Sequence, residues 1–180
     1  MKFGIGQSPT RIEDTRLLSG QGSYTDDLTV TGAAHGYVLR SPVAHATITS
    51  IETVAAKSAP GVLAVLTGAD LETDGVGDIQ SMTAVKNHDG SDIHKTPWPI
   101  LAKDRVRFVG NPVAFVVAET LEQAKDAAEL VEIEYDALPV EVDTYAAAQP
   151  GASQIWDHIP ENVAFDYAKG DKDAVDAIFA

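Results

Sequence analysis

The stretch NPVAFVVAETLEQAKDAAELVEIEY, residues 111–135, contains the signals of a strand, a helix and a second strand in close succession. Its residues 113–118 are all apolar, which predicts a central strand buried on both faces. Thr120 and Gln123 have the spacing of a capping box, so a helix with one apolar face is predicted to begin there. The sequence VEIEY at 131–135 then alternates as a strand does.

An earlier part of the chain has the same order of elements. Residues 46–51 alternate as a strand, and residues 52–59 have helical composition and are followed by Pro60-Gly61, a pair that cannot continue a helix. Residues 62–67, VLAVLT, then predict a fully buried strand. The two predicted helices share the similar sequences AKSA and AKDA. An internal structural repeat and convergent helix composition both explain this similarity.

The flanking sequence completes an α+β pattern with a mixed sheet. Residues 33–41, AAHGYVLRS, predict a further buried strand, and residues 105–109, RVRFV, predict a half-exposed one. Gly110 follows directly and is expected to turn the chain with a positive φ, which a residue with a β-carbon disfavours. Thr67 and Asp70 predict a capped turn of helix after the strand VLAVLT.

The composition is that of an ordinary globular protein and excludes several functions. The chain has 180 residues, no cysteine, and a formal net charge of −14 from 27 acidic and 13 basic residues. The lack of cysteine excludes disulfides, thiolate metal sites and iron–sulfur clusters within this sequence. The negative charge argues against binding to nucleic acid, whose phosphates it would repel. No apolar stretch is long enough to span a membrane and the N-terminus is no secretory signal, so a cytoplasmic location is expected.

Motifs for catalysis or nucleotide binding are missing. Gly20 and Gly22 begin a G-x-G pattern, but Thr25 stands where the dinucleotide fingerprint requires its third glycine. There is no phosphate-binding loop, and no serine lies in a nucleophile elbow.

Histidine and aspartate side chains cluster at one point in the sequence, NHDGSDIHKTP. His88, Asp89, Asp92 and His94 are ligand types that a metal accepts, but glycine, serine and aspartate are also typical of an exposed polar turn. The turn is the preferred interpretation. His35, near the start of the predicted strand at 33–41, and His45, after its end, are expected to have structural or interface roles.

Three blocks of sequence resemble one protein family. Residues 4–28, GIGQSPTRIEDTRLLSGQGSYTDDL, are similar to the opening of the molybdopterin-binding large subunits of the xanthine oxidase, aldehyde oxidase and aerobic carbon monoxide dehydrogenase family. Residues 39–71 resemble its R-S-P-x-A-H-A-x-I and P-G-V-x-A-V-x-T-G-x-D segments. Residues 101–143 resemble its V-R-x-V-G-x-P-V-A-x-V-V-A segment, the helix after it and its Y-x-x-L-P motif.

The resemblance implies an a/b hammerhead domain within a longer oxidoreductase subunit. An N-terminal arm is expected at 1–30, the hammerhead domain at 31–143, and a linker with the truncated start of the next domain at 144–180. The domain is expected to serve structure and assembly and to be inactive alone. Its arm is expected to form an assembly interface through six charged residues: Arg11, Glu13, Asp14, Arg16, Asp26 and Asp27.

The family's chemistry is implied for the parent protein and not for this stretch. That chemistry is the hydroxylation of a carbon centre or the oxidation of carbon monoxide, with a molybdopterin-type molybdenum cofactor held by later domains. No catalytic, cofactor-binding or metal residue is therefore assigned here. The implied partners are later domains of the same subunit and the FAD-binding and iron–sulfur subunits of the complex. A free-standing hammerhead-fold binding module and a small metal-dependent enzyme built on His88 and His94 are the alternatives.

Overall fold

The computed structural model describes Gly6, Ser8 and residues 10–180; the other residues of the predicted arm lie outside the described part. The chain divides into two compact units, Met1–Ala33 and Ala34–Ala180. In the described part of the first unit, helix α1 spans Asp14–Leu18 and a 3₁₀ turn spans Thr25–Asp27.

Six strands of the second unit form two three-stranded sheets. Sheet A has the order β1 (His35–Arg40), β5 (Pro112–Ala118) and β3 (Val62–Thr67). Sheet B has the order β4 (Arg105–Val106), β2 (Ala46–Glu52) and β6 (Glu132–Ala137). All the strand pairings in the two sheets are antiparallel. The α+β class is confirmed, whereas the predicted mixed sheet is wrong.

The helices connect strands of different sheets, which explains why the expected mixed sheet does not form. Helix α2 (Val54–Lys57) leads from β2 in sheet B to β3 in sheet A, and helix α4 (Leu121–Glu129) leads from β5 in sheet A to β6 in sheet B. A strand–helix–strand unit gives parallel neighbours only when both strands join the same sheet. Here β3 pairs with β5 and β2 pairs with β6, so the two units interlock through antiparallel pairs.

The main core lies between α4 and one face of sheet A. Three alanines of α4 are almost fully buried: Ala124, Ala127 and Ala128. They pack in one cluster with Val116 and Ala118 of the central strand β5 and with Val65 of β3. Small side chains allow a helix to lie close to a sheet, so the predicted apolar face of this helix is confirmed.

A second, smaller core lies where β5 approaches sheet B. Val113 at the start of β5 and Val106 of β4 are fully buried and pack with Ala46 and Ala102. The central strand therefore contributes to both cores, and its burial holds the two sheets in one domain.

The other face of sheet A is open. Phe115 and Val117 of β5 are only half-buried, so the predicted burial of this strand on both faces is wrong. The neighbouring strands are at the edges of the sheet: most of β1 is exposed, and in β3 only Val65 is buried. An uninterrupted apolar run indicates a strand but does not distinguish a covered face from an uncovered one.

Both predicted capping boxes are present. The Thr120 hydroxyl accepts a hydrogen bond from the backbone N–H of Gln123 at 3.2 Å, at the start of α4. The Thr67 hydroxyl and backbone N–H both donate to the Asp70 carboxylate at 2.7 Å, at the start of α3 (Gly68–Thr73). These hydrogen bonds hold the pKa of Asp70 below its ordinary value, because they favour the charged carboxylate.

The loops after β1 and before β5 are joined by backbone hydrogen bonds. The Ser41 N–H donates to the Asn111 carbonyl at 2.9 Å, and the Gly110 N–H donates to the Ser41 carbonyl at 2.8 Å. The Arg40 guanidinium also donates to the Gly110 carbonyl at 2.9 Å. Gly110 has a φ of 88°, so its predicted turn is confirmed. Residues of two sequence blocks about 70 positions apart thus form one junction.

His45 fixes a second junction. Its imidazole is 4% exposed, and its Nδ1 lies 2.9 Å from the carbonyl oxygen of Pro139. The Leu138 N–H donates to the His45 carbonyl at 3.0 Å, so the chain on both sides of this contact is held. His35, by contrast, is exposed at the start of β1.

Residues after β6 form short elements that lie along the domain. Helix α5 spans Thr144–Ala147, a 3₁₀ turn spans Pro160–Asn162, and helix α6 spans Lys172–Phe179. Asn162 holds the loops between them: its amide donates to the carbonyls of Ala147 and Ser153, and its carbonyl accepts from the Ile155 N–H.

Replacing Gly110 with alanine is expected to lower the free energy of unfolding by about 1–2 kcal/mol, because a β-carbon disfavours its left-handed backbone. No atom lies within 4 Å of the position that the β-carbon would take, so crowding adds nothing. Gly77 is the matched control: its surroundings are equally open, but its φ is not positive. Gly77→Ala should leave stability unchanged or raise it slightly. Equal effects of the two substitutions on urea unfolding would contradict the backbone argument.

Replacing His45 with alanine is expected to cost about 2–4 kcal/mol, because a buried ring is lost and the Pro139 carbonyl keeps only the Ser153 hydroxyl as a donor. His35→Ala, at an exposed histidine ten residues earlier, should change stability by less than about 0.5 kcal/mol. Thermal and urea unfolding of both variants measure the difference. A His45→Ala chain as stable as the His35→Ala chain would show that the imidazole does not hold the junction.

Candidate functional site

Among the described residues of the arm, the six charged side chains of the predicted interface are exposed except for Asp14, which is half-buried, and the ion pairs they form are with near neighbours. The Arg11 guanidinium lies 3.6 Å from the Glu13 carboxylate and 3.6 Å from the Asp14 carboxylate. Arg16, in the same short helix, is exposed. Ion pairs at such exposure contribute little to stability, since water and salt screen them. These charges are therefore available to a partner.

Asp27 has a local structural role, whereas Asp26 beside it is exposed without one. The Asp27 carboxylate accepts a hydrogen bond from the Tyr24 N–H at 2.8 Å and closes the 3₁₀ turn. Leu18 and Tyr24 are also mostly exposed, with 87% and 68% of their surface accessible. The arm thus presents apolar as well as charged side chains.

The histidine and aspartate cluster is built as a turn. The Asp92 carboxylate pairs with the Lys86 ammonium at 2.6 Å, and the Asp89 carboxylate accepts from the Ser91 N–H at 2.9 Å. These contacts lower the pKa of both carboxyl groups: the hydrogen bond from Lys86 is the main cause for Asp92, and that from Ser91 for Asp89.

The two histidines of this loop hold it through their backbones. The His88 N–H donates to the Asp166 carbonyl at 2.6 Å, and the His94 N–H donates to the Ala164 carbonyl at 2.9 Å. Within the described residues, no three side chains of the metal-binding types come together to hold an ion. The preferred interpretation of this segment as a polar turn agrees with these contacts.

Sequence reasoning missed an aromatic pocket around Arg107. Its guanidinium lies 3.8 Å from the centre of the Trp156 ring, and Trp98 and Phe108 line the same pocket with ring centres 5.6 Å apart. Burial lowers the pKa of Arg107, because the charged form loses hydration. The signal in the sequence was a basic residue next to an aromatic one, with Trp98 nine positions before Arg107 and Trp156 49 positions after it.

The contacts of Arg107 indicate a structural role. Its Nε donates to the Ile155 carbonyl at 3.3 Å and its Nη1 donates to the Arg105 carbonyl at 3.3 Å. Beside it, the Arg105 guanidinium pairs with the Asp157 carboxylate at 2.9 Å. These bonds hold the segment around Trp156 against the end of β4. The pocket contains no nucleophile with an adjacent base, so it offers no acid–base chemistry of its own.

The comparisons with known proteins agree with the resemblance in the sequence. Residues 19–139 match the family model described as aldehyde oxidase and xanthine dehydrogenase, a/b hammerhead domain. This range contains the 3₁₀ turn at Thr25–Asp27, both sheets and the helices α2 to α4.

Curated relatives and solved structures match nearly the whole chain. The carbon monoxide dehydrogenase large chain of Afipia carboxidovorans is 37% identical over 98% of this chain and 22% of its own length. The nicotine 6-hydroxylase large subunit of Paenarthrobacter nicotinovorans is 44% identical over 82% of this chain and 17% of its own length. A crystal structure of a Cu,Mo carbon monoxide dehydrogenase superposes with a TM-score of 0.75 at 36% identity, covering 98% of this chain and 22% of that one.

The chain thus spans about a fifth of the length of the relatives it matches. No helix among the described residues is long and apolar enough to cross a membrane. The matched fold, the family model and the identity over most of the chain lead to one conclusion: this chain belongs to the aldehyde oxidase and xanthine dehydrogenase family and contains its a/b hammerhead domain.

Proposed function

We propose that this chain is the N-terminal structural and assembly domain of a molybdenum hydroxylase large subunit, of the aldehyde, xanthine or carbon monoxide dehydrogenase type. The length of the relatives supports this most directly: proteins named as large chains or large subunits are about five times as long as the stretch that this chain matches. The proposed division is an arm at 1–30, the hammerhead domain at 31–143, and a linker with the start of a further domain at 144–180.

We further propose that the molybdenum cofactor of the parent protein is held outside this domain. When bound, that cofactor supplies the redox chemistry of the family. A molybdopterin-type cofactor carries phosphate, which proteins hold with several cations or backbone N–H groups. In the described pockets the cations are already engaged: Arg107 bonds two carbonyls, and the Lys103 ammonium pairs with the Glu72 carboxylate at 2.5 Å. The residues present therefore do not fit such a cofactor.

The proposed partners are the later domains of the same subunit and the FAD-binding and iron–sulfur subunits of a cytoplasmic complex. The six charged residues of the arm are proposed to contact them, with Arg11, Glu13 and Asp14 exchanging local pairs for pairs with a partner. Charged hydrogen bonds contribute more in such a desolvated interface than at a surface in water. Nucleic acid is not among the proposed partners because the net charge is −14.

The 180-residue chain is expected to purify without molybdenum and without dye-linked oxidation of an aldehyde, a purine or carbon monoxide. The full-length large subunit, expressed with its partner subunits, is expected to carry molybdenum and to be active. Metal analysis and a dye-reduction assay on both preparations measure this. Stoichiometric molybdopterin on the short chain would refute the proposal. A full-length gene product that ends at residue 180 would favour the free-standing binding module.

The arm should exchange its amide hydrogens rapidly in the isolated chain and slowly in the assembled complex, because within the described part of the chain Arg11, Glu13 and Asp14 pair only with one another. Hydrogen exchange followed by mass spectrometry resolves residues 11–16. The amides of α4 are the internal control and should be slow in both preparations, since this helix is buried in the core. Equal exchange of residues 11–16 in the two preparations would exclude the arm from the assembly interface.

A further inference from the structure

The open face of sheet A is an apolar surface that the proposed function does not yet use. It is formed by Val38 of β1, Leu66 of β3, and Phe115 and Val117 of β5, and we call it the Phe115 face. In the strand register both Val38 and Leu66 lie opposite Phe115, which places all three side chains on one side of the sheet. Each of the four side chains is half-buried.

The described residues of the domain cover this face in part, from one margin. Helix α4 packs against the other side of the sheet, through Val116 and Ala118. On the Phe115 side, Leu71 of α3 and the segment Ile100–Leu101 border a cavity of about 280 Å³ that Val38, Leu66 and Phe115 also line. The result is a shallow apolar groove with a well-defined wall on one side.

The Phe115 ring lies over Gly36. A β-carbon at Gly36 would lie 2.4 Å from Cζ of Phe115, so the ring occupies the space that a side chain at this position would need. Gly36 itself is exposed. The lack of a side chain at Gly36 is what allows the aromatic ring to lie on this face of the sheet.

The groove is apolar although the protein is acidic. The chain has a net charge of −14, yet no carboxylate of the described residues lines the groove. Arg40 is the charged side chain that the described residues place at its rim, and it donates to the Gly110 carbonyl. A contiguous apolar patch on an acidic protein is typical of an interaction site, since leaving it in water is unfavourable.

The size of the face favours an occupant from the same polypeptide. Three strands of six to seven residues give a sheet of roughly 20 by 14 Å, or about 300 Å². Stable interfaces between separate proteins bury roughly 800 Å² on each side. A surface this small binds well only when the partner is held at high effective concentration by a covalent connection. About four fifths of the relatives' length lies beyond the region that this chain matches.

We propose that the Phe115 face is the docking surface for an apolar segment of the remaining large-subunit polypeptide. This inference rests on the proposed function, because it requires that the chain continues into further domains. It goes further by naming the surface and the chemistry of what covers it: uncharged apolar side chains that fill the groove beside Phe115.

The absence of cysteine from these 180 residues allows a direct test by thiol labelling. Val38→Cys and Leu66→Cys each place one thiol on the Phe115 face, and Val54→Cys places one on α2, where the side chain is 72% exposed. Each variant is made in the 180-residue chain and in the full-length complex. Maleimide labelling is followed at the modified peptide by mass spectrometry, and unfolding temperatures confirm that each chain is folded.

The proposal predicts labelling at positions 38 and 66 at least about tenfold slower in the full-length large subunit than in the short chain, with position 54 unchanged. Equal rates in a complex that contains molybdenum would overturn this inference and leave the proposed function standing.

Protection that increases with the concentration of the short chain would identify a second copy of the chain as the occupant. Protection that appears only when partner subunits are added would identify one of those subunits as the occupant. Both results would overturn the proposal. A full-length product without molybdenum would instead refute the proposed function.

Discussion

The packing of α4 on the central strand β5 is the contact on which the rest of the domain depends. Ala124, Ala127 and Ala128 are almost fully buried against Val116 and Ala118, so helix and sheet approach as closely as their backbones allow. A larger side chain in this layer would push them apart, and overpacked cores of this kind lose stability. Because α4 covers one face of β5, a partner outside the domain can contact only the other face of this strand.

The two sheets depend on each other because each helix connects one sheet to the other. Residues 46–52 pair with residues 132–137, and residues 62–67 pair with residues 114–118, so neither sheet is complete until distant parts of the chain have met. The hydrogen bonds of Ser41 with Gly110 and Asn111 add a further long-range contact, because they join the end of β1 to the start of β5. The sequence blocks 39–71 and 101–143 that resemble the family contain these residues. Their contacts hold the two strand–helix–strand units together.

Local features were predictable from the sequence, and features that depend on tertiary neighbours were not. The capping boxes at Thr67 and Thr120, the turn at Gly110 and the central position of β5 follow from residues close in sequence, and all are confirmed. The mixed sheet was wrong because sequence order does not say which sheet a strand joins. The burial of Phe115 was overestimated because an apolar run does not show which neighbours cover it, and among the described residues Leu71, Ile100 and Leu101 cover only one side of the cavity at Phe115. The contacts of Arg107 with the Ile155 carbonyl and of His45 with the Pro139 carbonyl were not predicted, because these partners are 48 and 94 residues away in the sequence.

The arm and the Phe115 face would contribute differently to the proposed assembly. Exposed ion pairs contribute less than about 1 kcal/mol each, so the charged arm residues add little affinity until water is excluded around them. An apolar face of about 300 Å² is worth up to roughly 7 kcal/mol at 25 cal/mol per Å², and about half of that where the side chains are already half-buried. The apolar face would therefore supply most of the docking free energy, and the arm would set orientation once docking has begun. Since the apolar contribution alone is too small to hold separate proteins together, a covalent connection between the domain and its docking partner is what makes so modest a surface sufficient.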